Sequence, residues 1–362
     1  MTNHKPLTYL DQNVLSILKG KDEEPLKDFI KDKCQVVYSN ETLKEIYRSE
    51  MSLGNQELGE SFGAISYLKL LSDLDAVHIH PEFTLPEWKP TGRVVTNYDH
   101  PIDVYISYCG SNCQTETPID SGLLVNRKLY GDKSELTWAE VEAEMLKGFS
   151  QLLESTVQQC IDEGCRGAPL DAFTSSIPSL IDMHKSITQK MIGNLQASDE
   201  YLTNLAAQIR SKTDIDTVHL NNISSPNVVK KIWDAIKESE LVQKSGLNID
   251  ALFNPLAQLN EPALSFKFQQ VNGVYMNLHL LGYWPDEKVE ASRYHAHASD
   301  MSHGTMASFA DILISRDKKF LNKISATYEY LEINTKTINA NDLIKTHESS
   351  AFEAEKLLFP PD

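Results

Sequence analysis

The sequence predicts an α/β protein whose sheet-forming core is interrupted by a large, mostly helical insertion. Three observations lead there. Short β-prone runs alternate with amphipathic segments at both ends of the chain, the alternation stops near residue 76, and acidic residues recur where the predicted strands end. With 362 residues, 41% of them apolar, the chain can bury a large core and form two or three domains. Its 16 glycines and 15 prolines follow no period, which excludes collagen-like and low-complexity architectures. Against 51 acids stand only 34 lysines and arginines, a net charge of -17. The averaged surface field therefore repels phosphate, and little supports a non-specific nucleic-acid coat protein.

Each element has its own signal. LTYL before Asp11 reads as a strand, and QNVLSILKG as a helix with Val14, Leu15 and Leu18 on one face and Gly20 at its end. QVVY, residues 35–38, reads as a second strand. Ser39 or Asn40 then caps a helix carrying Leu43, Ile46 and Tyr47. A further helix is expected from about Asn55 to Leu74. Residues 1–75 are thus read as the first half of a core. HIHPEFTLPEWKP opens an insertion spanning residues 76–262, with helices expected over residues 137–160, 170–192, 199–211 and 226–245. The second half, residues 263–350, contains a long helix, a helix starting at Asp300, the strand ILIS, a helix from Lys318 and a strand YEYLEI. Residues 351–362 are expected to be a frayed tail.

The start of the chain lacks a basic segment followed by an apolar run, and no stretch of about 18 apolar residues occurs, so a cytoplasmic location away from membranes is expected. Five cysteines do not make a disulfide framework in a chain of this length. Cys109 with Cys113 and Cys160 with Cys165 form two close pairs, but their spacings are looser than those of structural zinc sites, and free thiols are the expectation. There is no Walker loop, dinucleotide fingerprint or nucleophile elbow.

Chemistry in an open α/β sheet collects beyond the carboxyl ends of its strands. Asp11 closes the first predicted strand, and Glu45 lies in the second turn of the helix after the second, with Glu41 one turn earlier on nearly the same face. A helix running from Asp300 and a strand returning to Arg316 cover similar distances, which would set Asp300 beside Asp317. Crowded carboxylates repel unless a cation neutralises them, and hard oxygen ligands favour Mg²⁺ or Mn²⁺. Asp311 precedes its strand and is expected to face the opposite end of the sheet.

TYLDQNVL, YSNETLKEI and DMSHGTMASFADILISRDKKFLNK resemble the three motif regions of the PIN-domain nucleases. The resemblance implies a three-layer α/β/α core around a short parallel sheet, one or two divalent ions, and endonucleolytic cleavage of RNA, less often of DNA. It carries catalytic and metal-binding roles to Asp11, Glu45, Asp300 and Asp317, with Ser315 where the family often has Thr or Ser. Arg293, His303, Ser315 and Lys318 become candidate contacts to the RNA substrate, Arg293 and His303 to its backbone. Residues 300–346 balance six acids against six bases, so bound cations would make that rim positive. In bacteria the resemblance suggests a toxin, an RNA-processing enzyme or a defence effector.

Two rival readings stand beside it. In one, a catalytically silent PIN-like scaffold binds a protein partner, or a second copy of the chain, through the insertion. In the other, SRYHAHASDMSHG supplies His295, His297, Asp300 and His303 to a zinc hydrolase, although no acid stands directly beside a histidine after the first pair.

Overall fold

The computed structural model describes residues 5–20, 23–52, 62–84, 89–112, 124–129, 135–162, 164–196, 205–213, 216–254, 267–285 and 293–359. The chain divides into two compact units, one of residues 1–105, 209–286 and 297–362, the other of residues 106–208 and 287–296. The chain runs β1 (Leu7–Leu10), α1 (Gln12–Leu18), α2 (Glu24–Lys33), β2 (Gln35–Tyr38), α3 (Asn40–Ser52), α4 (Phe62–Asp73), β3 (Val77–Thr84), β4 (Lys89–Asn97) and α5 (Pro101–Asn112). Helices follow: α6 (Leu124–Leu129), α7 (Trp138–Asp162), α8 (Ala168–Gln196), α9 (Leu205–Thr213), α10 (Thr217–Asn221), α11 (Val228–Ile236), α12 (Glu240–Ser245), α13 (Ile249–Phe253) and α14 (Lys267–Leu281). It closes with α15 (Arg293–Ala307), β5 (Ile312–Ser315), α16 (Lys318–Tyr330), β6 (Lys336–Asn339), α17 (Ala340–Ser349) and α18 (Ala351–Leu358).

The first unit is built on one six-stranded sheet ordered β4-β3-β2-β1-β5-β6. All neighbouring pairs are parallel except β3 with β4, so the sheet is mixed rather than wholly parallel as expected. A short connection lets β4 fold straight back along β3, which a parallel pair could not do. β1, β2 and β5 are each four residues of nearly continuous apolar sequence, as strands covered on both faces should be. Tyr9, Val37 and Leu313 pack in one core with Tyr275 of α14 and Phe320, Ile324 and Tyr328 of α16. Leu10, Val36 and Ile314 alternate with them, point to the other face, and are equally buried.

Several expectations need correction. Residues 77–97, assigned to the insertion, instead extend the sheet. Residues 216–254 likewise belong to the first unit: α11 buries Val229, Ile232 and Ile236 with Phe253, Leu278 and Ala326 of α16. The expected 226–245 helix breaks between α11 and α12. The expected YEYLEI strand is the end of α16 and its turn, because the helical period of Phe320, Ile324 and Tyr328 continues through Tyr330. Glu332 turns the chain at a φ of 54°, and the strand is KTIN, paired with β5. The tail is not frayed over residues 351–358: Ser350 caps α18, which buries Ala354 and Leu358. Helix α2, with Leu26, Phe29 and Ile30 buried at helical spacing, was not anticipated.

The second unit contains α7 and α8. Trp138 at the start of α7 shares a core with Ile192 near the end of α8, so the two run antiparallel. Thr137 and Glu140 begin α7 as a capping box, each accepting the other's backbone N–H. Among the described residues no helix is long and apolar enough to cross a membrane.

Candidate metal centre

β1 is the switch point of the sheet: the chain goes to β2 on one side and β5 lies on the other, which opens a crevice at the carboxyl ends of these strands. Asp11 stands there directly after β1, its N–H donating 3.1 Å to the Ile314 carbonyl. It holds the N-cap position of α1, yet its carboxylate caps nothing. Instead the Asp11 Oδ2 accepts from Asn13 Nδ2 and from Ser315 Oγ, each at 2.5 Å. Burial raises the Asp11 pKa, as does Glu45, while His303 and the Ser315 hydroxyl partly oppose the rise.

Glu45 arrives from α3, whose start is fixed by Ser39, a buried residue whose Oγ accepts the Glu41 N–H at 3.3 Å. Its Oε1 accepts from Ser299 Oγ at 2.6 Å, and the Glu41 Oε1 lies 2.8 Å from the same hydroxyl. One hydroxyl carries one proton, so these two carboxylates compete for it. Burial pushes the Glu45 carboxyl up, but His303, Ser299 and Arg48 together outweigh it and hold the pKa below its ordinary value.

His303 comes from α15 and is 1% exposed. Its Nδ1 lies 2.7 Å from the Tyr9 hydroxyl, which reaches Ser39 Oγ at 2.7 Å. Its Nε2 faces Glu45 Oε2 at 3.1 Å, without the alignment of a hydrogen bond, and both atoms are buried with no hydrogen-bond partner. Burial opposes charge on His303, but Tyr9, Glu45 and Asp11 outweigh it and hold the pKa well above its ordinary value. One ligand atom from each of Asp11, Glu45 and His303 lies within 4.8 Å of the others.

Two of the four expected acids are elsewhere. Asp300 does not start a helix; α15 begins at Arg293, because RYHAHAS offers no breaker, and Asp300 sits mid-helix, one turn before His303. It is absent from the converging group. Asp317 caps α16, its Oδ1 accepting the N–H groups of Lys319 and Phe320 at 2.7 and 2.9 Å. It touches the centre indirectly, through its own N–H on Ser315 Oγ at 3.1 Å.

The expected substrate contacts also move. His303 and Ser315 are buried, which removes both as surface contacts to RNA; Ser315 orients Asp11 instead. Lys318 is exposed, its Nζ 5.2 Å above the Trp284 ring. The Arg293 and His295 side chains lie outside the described residues. The His297 ring lies tilted against His279 at 4.0 Å and stacks on Tyr275 at 5.4 Å between centroids, and it is not in the converging group. Asp311 behaves as expected, accepting the Leu7 N–H at the far end of the sheet. Among the described residues Cys34, Cys109, Cys160 and Cys165 form no disulfide, and Cys113 lies outside the described residues.

Asn13, Ser299 and Tyr9 were not anticipated as members of the site. Asn13 two residues after Asp11, and His303 three after Asp300, were the available signals. Beside the centre, a cleft of about 250 Å³ is lined by Asn40, Glu41, His80, Asn272, Ser302 and Met306, among others. Compared with protein-family models, curated proteins and solved structures, the chain matches none.

The donor set suits a divalent ion. Two carboxylate oxygens and an imidazole nitrogen converge, two of these atoms have no hydrogen-bond partner, and each ligand is braced by a second residue: Asp11 by Asn13 and Ser315, Glu45 by Ser299, His303 by Tyr9.

Proposed function

We propose that the chain is a metal-dependent nuclease with a PIN-like core, hydrolysing phosphodiester bonds of RNA. The observation that carries this reading is the convergence of Asp11, Glu45 and His303 within 4.8 Å at the carboxyl ends of parallel strands. The ion, when bound, supplies acidification of water and neutralisation of charge developing on the phosphoryl oxygens. Asp11, with its carboxylate fixed by two donors, and Glu45, kept ionised by its neighbours, hold it in place. Tyr9 fixes which ring nitrogen of His303 faces the centre. The cleft beside Glu41 offers polar and apolar walls of a size to seat part of a nucleotide, and Lys318 gives an exposed cation for the phosphate chain.

The test is incubation of wild type and Asp11→Asn with labelled single-stranded RNA, tRNA and DNA in Mn²⁺, Mg²⁺ and EDTA. Metal-dependent cutting of RNA by wild type alone is the expected result. Cutting of DNA only would change the substrate class.

A second reading is a catalytically silent PIN-like scaffold. It is favoured by Asp317, whose carboxylate is occupied as a helix cap, and by the closeness of His303 to Glu45, which lets an imidazolium neutralise the acids without a metal. Absence of cutting on every substrate together with absence of metal binding would select it.

A further inference from the structure

The donor chemistry of the centre discriminates between metals. An all-carboxylate rim would take Mg²⁺, a hard ion that prefers oxygen and retains its waters. Here one of the three converging donors is the Nε2 of a buried histidine. That atom is buried and faces Glu45 Oε2 at 3.1 Å without the alignment of a hydrogen bond, and the ring, 1% exposed, is held from behind by Tyr9 at 2.7 Å, so swinging away would cost this buried hydrogen bond. Imidazole nitrogen binds first-row transition ions far better than it binds Mg²⁺. With two carboxylates and one nitrogen, the set is too oxygen-rich for a structural zinc site and too nitrogen-bearing for a magnesium site.

We infer that His303 is a direct metal ligand and makes the centre select a first-row transition ion of the Mn²⁺ type over Mg²⁺. This rests on reading the rim as a metal centre but not on its cutting RNA. The geometry supplies the reason for the buried position of His303: a ligand held rigidly in the core by Tyr9 and Ser39 is oriented before the ion arrives.

The test reads coordination directly. Full-length protein, unlabelled and grown with ¹⁵N-histidine, is loaded with Mn²⁺ alone and examined by pulsed electron paramagnetic resonance. Nitrogen modulation that changes from the ¹⁴N to the ¹⁵N pattern on labelling is expected. Bound Mn²⁺ with no histidine coupling would overturn the inference, as would failure of the wild type to bind Mn²⁺.

Titration calorimetry adds selectivity. In His303→Gln the Mn²⁺ affinity is expected to fall by about tenfold or more, with the Mg²⁺ affinity changed by less than about threefold. His303→Asp is expected to reverse the preference toward Mg²⁺; equal losses for both ions in both variants would overturn the assignment. If either variant does not fold, the isotope comparison on the wild type still decides. A protein that binds Mn²⁺ through histidine yet cuts nothing would support this inference while removing the nuclease reading.

Discussion

The Tyr9 hydroxyl lies 2.7 Å from His303 Nδ1, joining the centre of β1 to α15 across 294 positions of sequence. The same oxygen meets Ser39 Oγ at 2.7 Å, so one phenol ties together the strand, the histidine and the start of α3 that presents Glu45. Tyr9→Phe leaves the buried His303 nitrogen and Ser39 hydroxyl short of a partner. A loss of about 1–3 kcal/mol in urea unfolding is expected, with weaker Mn²⁺ binding. Unchanged stability and unchanged binding would show that Tyr9 does not position the histidine.

Burial of Asp11 works against the stability of the fold at neutral pH. Its folded pKa is raised above the unfolded value, so the folded state favours the protonated form. The contribution to stability is fully present below the unfolded pKa and is lost as pH rises through the folded pKa. Asp11→Asn, measured without metal at pH 7, is therefore expected to be more stable than wild type by about 0.5–2 kcal/mol, the gain vanishing in acid, while cutting is abolished. A less stable variant at pH 7 would contradict this account.

Gly304 lets α15 approach α16. A Cβ there would stand 2.5 Å from Ile324 Cδ1 and 3.3 Å from Phe320 Cε2, both in the core, and the Gly304 carbonyl accepts from the Tyr328 hydroxyl. Gly304→Ala is expected to destabilise by about 1–3 kcal/mol and to reduce metal affinity by displacing the adjacent His303. Thermal unfolding and calorimetry check the two effects separately.

Asp317 can be divided into cap and catalyst. Asp317→Ala removes acceptors for Lys319 and Phe320 and is expected to lose about 0.5–2 kcal/mol. Asp317→Ser keeps a capping oxygen and should recover most of that loss. If the serine variant also recovers RNA cutting, the carboxylate serves only α16. If stability returns without cutting, Asp317 has a direct role at the centre.

His78 gives the first unit an acid-sensitive point. Burial, aided by the nearby His80, lowers its pKa from 6.5 to about 4, and its Nε2 donates to Asn40 Oδ1 at 2.9 Å. The neutral ring's contribution is fully present above the unfolded pKa and is lost as pH falls from about 6.5 toward about 4. This amounts to roughly 3 kcal/mol at most. His78→Gln is expected to flatten stability over that window, and parallel curves for variant and wild type would rule the assignment out.

Much of this protein follows from local sequence. LTYLD, QVVYSNE and ILISRD contain apolar runs too short for helices, each followed by a capping or acidic residue, and β1, β2 and β5 lie where those runs are. The placement of Asp11 and Glu45 at one end of the sheet was legible because a strand end and a helix's second turn are positions that local periodicity can locate. β3 was not legible as a core strand, since Pro81 and the two histidines suggest a loop. Pairing with β2 on one side and β4 on the other makes it a strand.

Only the tertiary structure shows that Glu45 rather than Glu41, and His303 rather than Asp300, converges with Asp11. Both choices turn on the rotation of a helix about its axis. A shift of α15's start from Asp300 to Arg293 leaves the helical period intact, but only packing against β1 and α16, through Tyr9 and Gly304, selects which residue meets Asp11. Composition and spacing determine that a strand-end acid and a helix-borne partner exist. Which side chains converge within a few ångströms is set by contacts hundreds of residues apart, and no local pattern encodes them.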